Sequence, residues 1–408
     1  MDYEILLEQA MELGYRLQIC GAETFRVEET IRRILTAYRC DTEVFCIPNC
    51  IMVSCRTPEG HDLSRMRRVD GVSMDLDGIE RYSNLSRQIC AGTPETKLFQ
   101  DLLDQGVRDT RTYSFPAMLA AYFFATGGYA VLFNGTLADG LCAGLCGIVA
   151  GTCLMALATL KVNKFFSTIT TAFFLSLASY FFVRVGWADS VDAITIGALM
   201  TLVPGILFTN AIRDIIFGDT NSGVNRLVQV LLIAVGIAVG NGTAFSLAWS
   251  LWGELPATAA LAPHNSVISA LACFVGTTGF GYIFNIHGPG MLLCSLGGVL
   301  AWLVQYLTQA AGLSLLWSYF IAAVVLSAYA EIMARIRKYP ASSYLSAALF
   351  PLVPGAGIYY TIDYLIRGNG AAFSSKGLET AGAAGCLAVG VLLVSTAFRA
   401  WGTWQQRK

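Results

Sequence analysis

Among the polar and ionisable residues inside long apolar runs of this 408-residue chain, six are candidates for chemistry: Asp139, Asn210, Arg213, Asp214, Glu331 and Asp363. An ionisable side chain near the centre of a bilayer costs about 2.5–3.5 kcal/mol on insertion scales, so each is a candidate for binding a charged solute or relaying a proton. Asn210 stands three and four positions before Arg213 and Asp214, so the three share one broad helix face. Arg213 and Asp214 are sequence neighbours and do not face each other on a regular helix. Each candidate also has a structural reading. Asp139 can cap the helix it opens, Arg213 and Asp214 can snorkel to a nearby membrane face, and Glu331 precedes Arg335 at i,i+4 spacing.

Two identical motifs frame these residues. Leu202-Val203-Pro204-Gly205 returns 150 positions later as Leu352-Val353-Pro354-Gly355, each copy inside an apolar run. Proline removes a backbone donor and the following glycine loosens the helix further. Inside a bilayer such a break is tolerated only where the freed backbone groups find partners or line a wet cavity. Matched breaks in two halves of an apolar chain point to a transporter binding site near the midplane. The segment after a break also presents N–H groups and a positive dipole end, which suit a carboxylate. Pro204, Gly205, Pro354 and Gly355 are therefore site candidates for a small carboxylate-bearing solute. The flanks differ. Thr209, Asn210 and Arg213 follow the first break, Tyr359, Tyr360 and Asp363 the second, so Arg213 corresponds to Asp363 with reversed sign.

The elements that must hold these residues follow from composition. The chain is 55% hydrophobic and only 13% charged, against about 25% charged in soluble domains, and is therefore a membrane protein. A net charge of −1 suggests no nucleic-acid partner. Residues 1–112 hold 14 of the 27 Lys and Arg and 19 of the 28 Asp and Glu. A soluble domain over 1–112 and a membrane domain from near Ser114 are expected. Apolar runs predict spans at roughly 115–133, 138–160, 165–185, 191–217 and 225–252, then 265–285, 289–309, 314–335, 343–366 and 377–401.

Those ten spans contain a repeat. Phe133-Asn134 is matched by Phe284-Asn285, with Leu141/Leu292, Leu145/Leu296, Gly147/Gly298 and Ala150/Ala301 in the same register, offset by 151. Ala198-Leu199 is matched by Ala348-Leu349, and Gly218 by Gly368, at an offset of 150. Five spans is an odd number, so the second copy, 253–408, enters the membrane inverted relative to the first, 113–252. Basic residues agree with cytoplasmic termini: the inner loops hold Lys161, Lys164, Arg226, Arg335, Arg337 and Lys338, and finally Arg407 and Lys408, against Arg184, Arg367 and Lys376 outside. The expected fold is a polytopic α-helical membrane protein of two inverted five-helix repeats behind a small soluble α+β domain.

In that domain, helical periodicity runs from Leu6 to Leu17, ends at Gly21, and resumes from Val27 to Leu35. Strands are expected at 43–47, 50–56 and 63–69, then helices at 75–91 and 95–105. The charges on its second helix read as a solvated face with Glu28–Arg32 and Glu29–Arg33 pairs. A hydrolase-like site near Gly21-Ala22-Glu23-Thr24 lacks any Ser/His/Asp order or metal spacing. Cys46, Cys50 and Cys55 match no zinc motif and read as free thiols, so no metal or cofactor is expected. The start, Met1-Asp2-Tyr3-Glu4, has no basic n-region, and no cleavable signal peptide is expected.

Several of these motifs resemble the threonine/serine exporter family. They are Gly21-Ala22-Glu23-Thr24-Phe25-Arg26-Val27-Glu28-Glu29-Thr30, the first Leu-Val-Pro-Gly with Thr209-Asn210-Ala211-Ile212-Arg213-Asp214, and Gly218-Asp219 with Ser222-Gly223. The second half adds Glu331-Ile332-Met333-Ala334-Arg335 and Pro351-Leu352-Val353-Pro354-Gly355 with Tyr359. The resemblance covers essentially the whole chain. It implies a plasma-membrane secondary exporter of threonine and serine driven by the proton gradient, in the fused form of a family whose two-chain members export a dicarboxylate such as succinate. The homo-oligomeric state is left open. The rival classes are a membrane-tethered hydrolase-like enzyme, for which ten spans far exceed an anchor, and a channel, which would lack saturable counterflow.

Overall fold

The computed structural model describes residues 1–216, 218–253, 264–337, 339–366 and 368–406. Lys338, Arg367, Arg407 and Lys408, used above in the charge-asymmetry argument, lie outside them. The chain divides into two compact units: Met1–Thr112 with Phe284–His287, and Tyr113–Ile283 with Gly288–Lys408.

In the first unit, helix α1 (Tyr3–Ile19) opens on Asp2, whose carboxylate accepts from Glu4 N at 3.0 Å. It buries the stripe Leu6, Leu7, Ala10, Leu13 and Leu17. Gly21 takes φ +91°, and a Cβ there would lie 2.6 Å from the Ser73 carbonyl oxygen, so glycine alone lets the chain turn into α2 (Thr24–Ala37). Strands β1 (Asp41–Ile47), β2 (Cys50–Arg56) and β3 (Asp62–Arg68) form an antiparallel sheet in chain order, with Val44 opposite Val53 and Val53 opposite Arg65. Ile51, Val53 and Cys55 alternate inward along β2. Helices α3 (Leu76–Gly92) and α4 (Thr96–Arg108) pack on α1. The alternation and helical periods place every one of these elements within a few residues of its expected position.

The second unit is helical. Its first part holds α5 (Phe115–Leu132), α6 (Leu137–Thr159), α7 (Lys164–Arg184), α8 (Val191–Leu199), α9 (Gly205–Ile216) and α10 (Thr220–Trp252). Its second part holds α11 (Ser266–Ile283), α12 (Gly290–Ala310), α13 (Leu315–Arg337), α14 (Ala341–Ala348), a 3-10 turn at Phe350–Leu352, α15 (Gly355–Ile366) and α16 (Gly370–Gln406). Among the described residues, eight helices are long and apolar enough to cross a membrane, and the α14–α15 pair, bent by 46°, makes a ninth. The structure differs from ten continuous spans at 191–217 and 343–366, each of which is two short helices. Helices α10 and α16 are longer than expected, at 33 and 37 residues. At 1.5 Å per residue each exceeds the roughly 30 Å hydrocarbon thickness.

Packing follows one pattern in both parts. Helix α8 lies against α5, α6 and α7, and α14 against α11, α12 and α13. Helix α10 packs on α7 and α16 on α13, with small residues letting backbones approach. A Cβ on Gly240 would lie 2.5 Å from the Ile169 oxygen, and one on Gly390 would lie 3.0 Å from the Phe320 oxygen. Helices α5 and α11 cross at Ala121, Ala125 and Gly128 against Ala272, Gly276 and Gly279. Gly128 abuts the backbone of Ala272 and Gly276, while Gly279 abuts that of Ala121 and Ala125. Numbering rises along one helix as it falls along the other, so the two cross antiparallel.

Candidate functional site at the paired helix breaks

The two Leu-Val-Pro-Gly stretches share one backbone path. Val203 N donates to the Leu199 carbonyl at 2.8 Å, and Val353 N to the Leu349 carbonyl at 3.0 Å. Pro204 and Pro354 each end that turn, and their carbonyls accept from Phe208 N at 2.8 Å and Ile358 N at 3.0 Å to start α9 and α15. Proline sits here because it has no N–H to lose at a helix start.

The breaks also meet each other. A Cβ on Gly205 would overlap Val353 Cγ1, and one on Gly355 would lie 2.5 Å from Met200 Sδ and 3.6 Å from Val203 Cγ1. Each glycine thus receives the valine or methionine of the opposite break. The surroundings are apolar: Ile196, Leu199, Val203, Ile358 and Ile362 belong to one buried cluster, with Leu202 and Phe208 packed against it.

The polar candidates distribute unevenly around this crossing. Tyr359, buried one turn past Gly355, donates its hydroxyl to Asp192 Oδ1 at 3.3 Å, joining α15 to the first turn of α8. Asp363 stands one turn beyond Tyr359 on α15, and the Tyr360 ring stands 5.3 Å from that of Tyr359. Thr209, the positional counterpart of Tyr359, donates instead to the Gly205 carbonyl of its own helix at 3.1 Å. Asn210 is half-buried on α9.

Arg213 and Asp214 are buried at the far end of α9, and their charged atoms come no closer than 3.9 Å. The firmer partner of Asp214 is Arg226, whose Nε lies 2.9 Å from Asp214 Oδ2. This corrects the placing of Arg226 in an inner loop: it stands in the second turn of α10, folded back on α9 through Gly218 at φ +91°. Glu331 pairs locally, 2.6 Å from Arg335 on its own helix, and the Arg335 guanidinium lies over Phe398 of α16.

Asp139 is fully buried as a structural staple. Its Oδ2 accepts from Thr136 N at 2.9 Å, and its Oδ1 from Asp189 N at 2.8 Å and Ser190 N at 3.0 Å, tying the start of α6 to that of α8. The Gly21–Thr24 motif is likewise engaged in folding the first unit. Glu23 pairs with Arg26 at 3.8 Å, Glu28 accepts from Cys46 N at 2.8 Å, and Asp75 N donates to the Cys20 carbonyl. All twelve cysteines are free thiols. A cavity of about 410 Å³ opens between α5 and α11, lined by residues such as Phe124, Phe274 and Tyr282, and holds none of the candidate residues.

Sequence reasoning missed Asp192. Its position just after Ser190, which caps α8 through a 3.2 Å bond from Ala193 N, makes it read as an ordinary first-turn acid. Its meeting with Tyr359 spans 167 positions and leaves no local signal.

Residues 8–248 match the family described as "Putative threonine/serine exporter", and residues 269–397 match that described as "Threonine/Serine exporter, ThrE". The chain belongs to the threonine/serine exporter family. Among curated relatives of this exporter family, a "Threonine/serine exporter" from Corynebacterium glutamicum is 24% identical over 302 residues, covering 71% of this chain and 61% of that protein. A "Probable threonine/serine exporter" from Mycobacterium tuberculosis is 22% identical over 409 residues, covering 95% of this chain and 75% of that protein. The chain thus spans less than two thirds of the corynebacterial exporter's length. No solved structure matches.

Proposed function

We propose that this chain is a plasma-membrane secondary transporter that exports small hydroxy amino acids, threonine and serine, by alternating access between two inverted five-helix halves. The observation that carries the reading is the reciprocal seating of the two breaks, Gly205 against Val353 and Gly355 against Met200 and Val203. Two helix breaks facing one another offer a binding point that can be reached from either side as the halves rock. The named activity of the two curated exporters supports the substrate class.

Further support comes from the antiparallel crossing of α5 with α11, the first helices of the two halves. Chain parity gives independent support for ten spans. Phe284–His287 belongs to the first compact unit, where the Phe284 carbonyl accepts from Leu76 N at 3.0 Å and Asn285 donates to Asp75 Oδ1 at 2.8 Å. In this reading the chain has returned by residue 284 to the side of the bilayer from which it left at 113. That return takes an even number of crossings; α5, α6, α7, α10 and α11 supply five, and in this reading the broken α8–α9 pair is the sixth. With positive charge inside, that side is cytoplasmic.

Export is coupled to proton entry in this reading, with Asp214, Glu331 and Asp363 as the candidate carriers. The test is counterflow and uphill efflux from proteoliposomes loaded with threonine, serine or succinate, with and without a pH gradient. Threonine and serine counterflow that is accelerated by the gradient is expected. Succinate flux alone would replace amino acids by dicarboxylates, and non-saturable flux would indicate a channel. Pro204→Ala combined with Pro354→Ala is expected to abolish export while the protein still inserts. Undiminished efflux by that double variant would remove the breaks from the mechanism.

A further inference from the structure

We propose that Asp192 and Tyr359 form the latch that closes one end of the transport pathway, and that this end opens only when their bond breaks. The inference rests on the alternating-access reading above. Three observations lead to it.

The first is where the halves can and cannot part. At the α5–α11 crossing, backbone lies on backbone: a Cβ on Gly128 would stand 2.6 Å from Gly276 N, and one on Gly279 would stand 2.8 Å from the Ala121 oxygen. A contact with no side chain between the helices has nothing to yield, and suits a pivot. The Asp192–Tyr359 bond joins two other helices, α8 of one half and α15 of the other.

The second is chemical. At 3.3 Å the phenol–carboxylate bond is long for an O–H donor, so it is directional yet easily exchanged for water. Around it both halves contribute aliphatic side chains to one buried cluster, Ile358 and Ile362 from α15 and Ile196 and Leu199 from α8, and these carry no directional bond. Such a surface can separate, and the Asp192–Tyr359 hydrogen bond then sets how often it does.

The third is asymmetry. With an offset of 150, Asp192 corresponds to Ser342 and Tyr359 to Thr209. The second pair contains neither a carboxylate nor a phenol, and the Thr209 hydroxyl is turned onto the Gly205 carbonyl of its own helix. The counterpart positions in the two halves thus carry different chemistry. On the cytoplasmic-terminus orientation the latched end is the extracellular one. An exporter gains from such a difference, because a bond made only in the inward-open and occluded states keeps the outer end shut until cargo is loaded.

The experiment replaces the latch by one that can be locked. In Asp192→His with Tyr359→His, two imidazoles stand where the bonded pair stood, in reach of one zinc ion. Threonine counterflow is followed in proteoliposomes with micromolar Zn²⁺ and again after EDTA, and bound zinc is counted on the same protein. The expected result is zinc bound by the double variant, a loss of counterflow of about tenfold or more, full recovery with EDTA, and no zinc effect on the wild type or either single variant. Counterflow that continues in the zinc-loaded double variant overturns the latch, and so does failure of that variant to bind zinc. If the double variant is inactive before zinc is added, Tyr359→Phe decides. A latch predicts saturable counterflow with the ratio of outer to inner half-saturation concentrations moved about threefold or more, and an unmoved ratio overturns it. Wild-type vesicles with no amino-acid counterflow refute the transport reading itself, whereas wild-type counterflow beside a zinc-indifferent, zinc-loaded variant refutes only the latch.

Discussion

Gly205 lies directly beneath the side chain of Val353, so close that a Cβ at position 205 would overlap Val353 Cγ1. The pseudo-symmetric contact is looser, since Gly355 faces Met200 Sδ, the flexible end of an unbranched side chain. The stiff χ1 of valine cannot swing aside as a thioether can. Gly205→Ala is therefore expected to cost about 1–3 kcal/mol through overpacking, with most transport lost, and Gly355→Ala distinctly less. Val353→Ala in the Gly205→Ala background should restore both quantities in large part. Thermal unfolding in detergent and threonine counterflow in vesicles read the two effects. A suppressor that restores neither would mean that the glycine is needed for backbone conformation and not for space.

The α5–α11 crossing makes a symmetric prediction. Because Gly128 and Gly279 each meet the partner helix's backbone, no rotamer change can admit a methyl group at either position. Gly128→Ala and Gly279→Ala are expected to destabilise the protein to a similar extent, by about 1–3 kcal/mol or more. Gly385→Ala on α16, where a Cβ meets nothing within 4 Å, should be neutral or stabilising by about 0.5–1 kcal/mol. Yield of folded protein in membranes and its unfolding midpoint give the comparison. Unequal losses at positions 128 and 279 would show that the two halves do not share that crossing evenly.

Much of this architecture is legible in the sequence, for identifiable reasons. Helix breaks announce themselves through Pro204 and Pro354 because proline's missing N–H acts locally. The strands of the first unit are readable because alternation along β2 is a local consequence of burial on one face. The site is less legible. Arg226 reads as a loop base, yet the turn at Gly218 returns it onto Asp214. Of the two readings of Glu331, the local i,i+4 partner Arg335 is the one found, at 2.6 Å. Asp192 reads as a helix-start acid, and its meeting with Tyr359 depends on how two halves pack, which no periodicity encodes.

The Asp214–Arg226 pair permits a charge test. Both side chains are largely buried, and removing either partner takes the shortest ion pair from the other, at a cost of up to about 3–5 kcal/mol. Asp214→Asn and Arg226→Gln should each destabilise the protein strongly, while the double variant should be more stable than either single one. Unfolding midpoints of all four proteins complete the cycle. If Asp214 carries the transported proton, the double variant will fold but lose acceleration by a pH gradient. Preserved acceleration would make the pair purely structural.

The thiols of the first unit make a prediction in pH. Burial, reinforced by the Asp75 carboxylate 3.9 Å away, pushes the Cys20 thiol up from its ordinary 9.0 to about 12. Burial, with Cys55 nearby, pushes Cys40 up to about 11. A raised acid holds its proton in the folded state, so the stability it contributes is complete below pH 9 and is lost as pH rises towards 11–12, where the unfolded chain is already ionised. The first unit of the full-length protein should therefore loosen in alkali while remaining intact at pH 8. Since the thiolate is the reactive form, iodoacetamide at pH 8 should spare Cys20 and Cys40 and modify the half-buried Cys50 first. Mass spectrometry of tryptic peptides, with and without urea, measures the order. Fast alkylation of Cys20 at pH 8 without urea would contradict its burial between α1 and α3, where a Cβ on Gly78 would touch its sulfur at 2.5 Å.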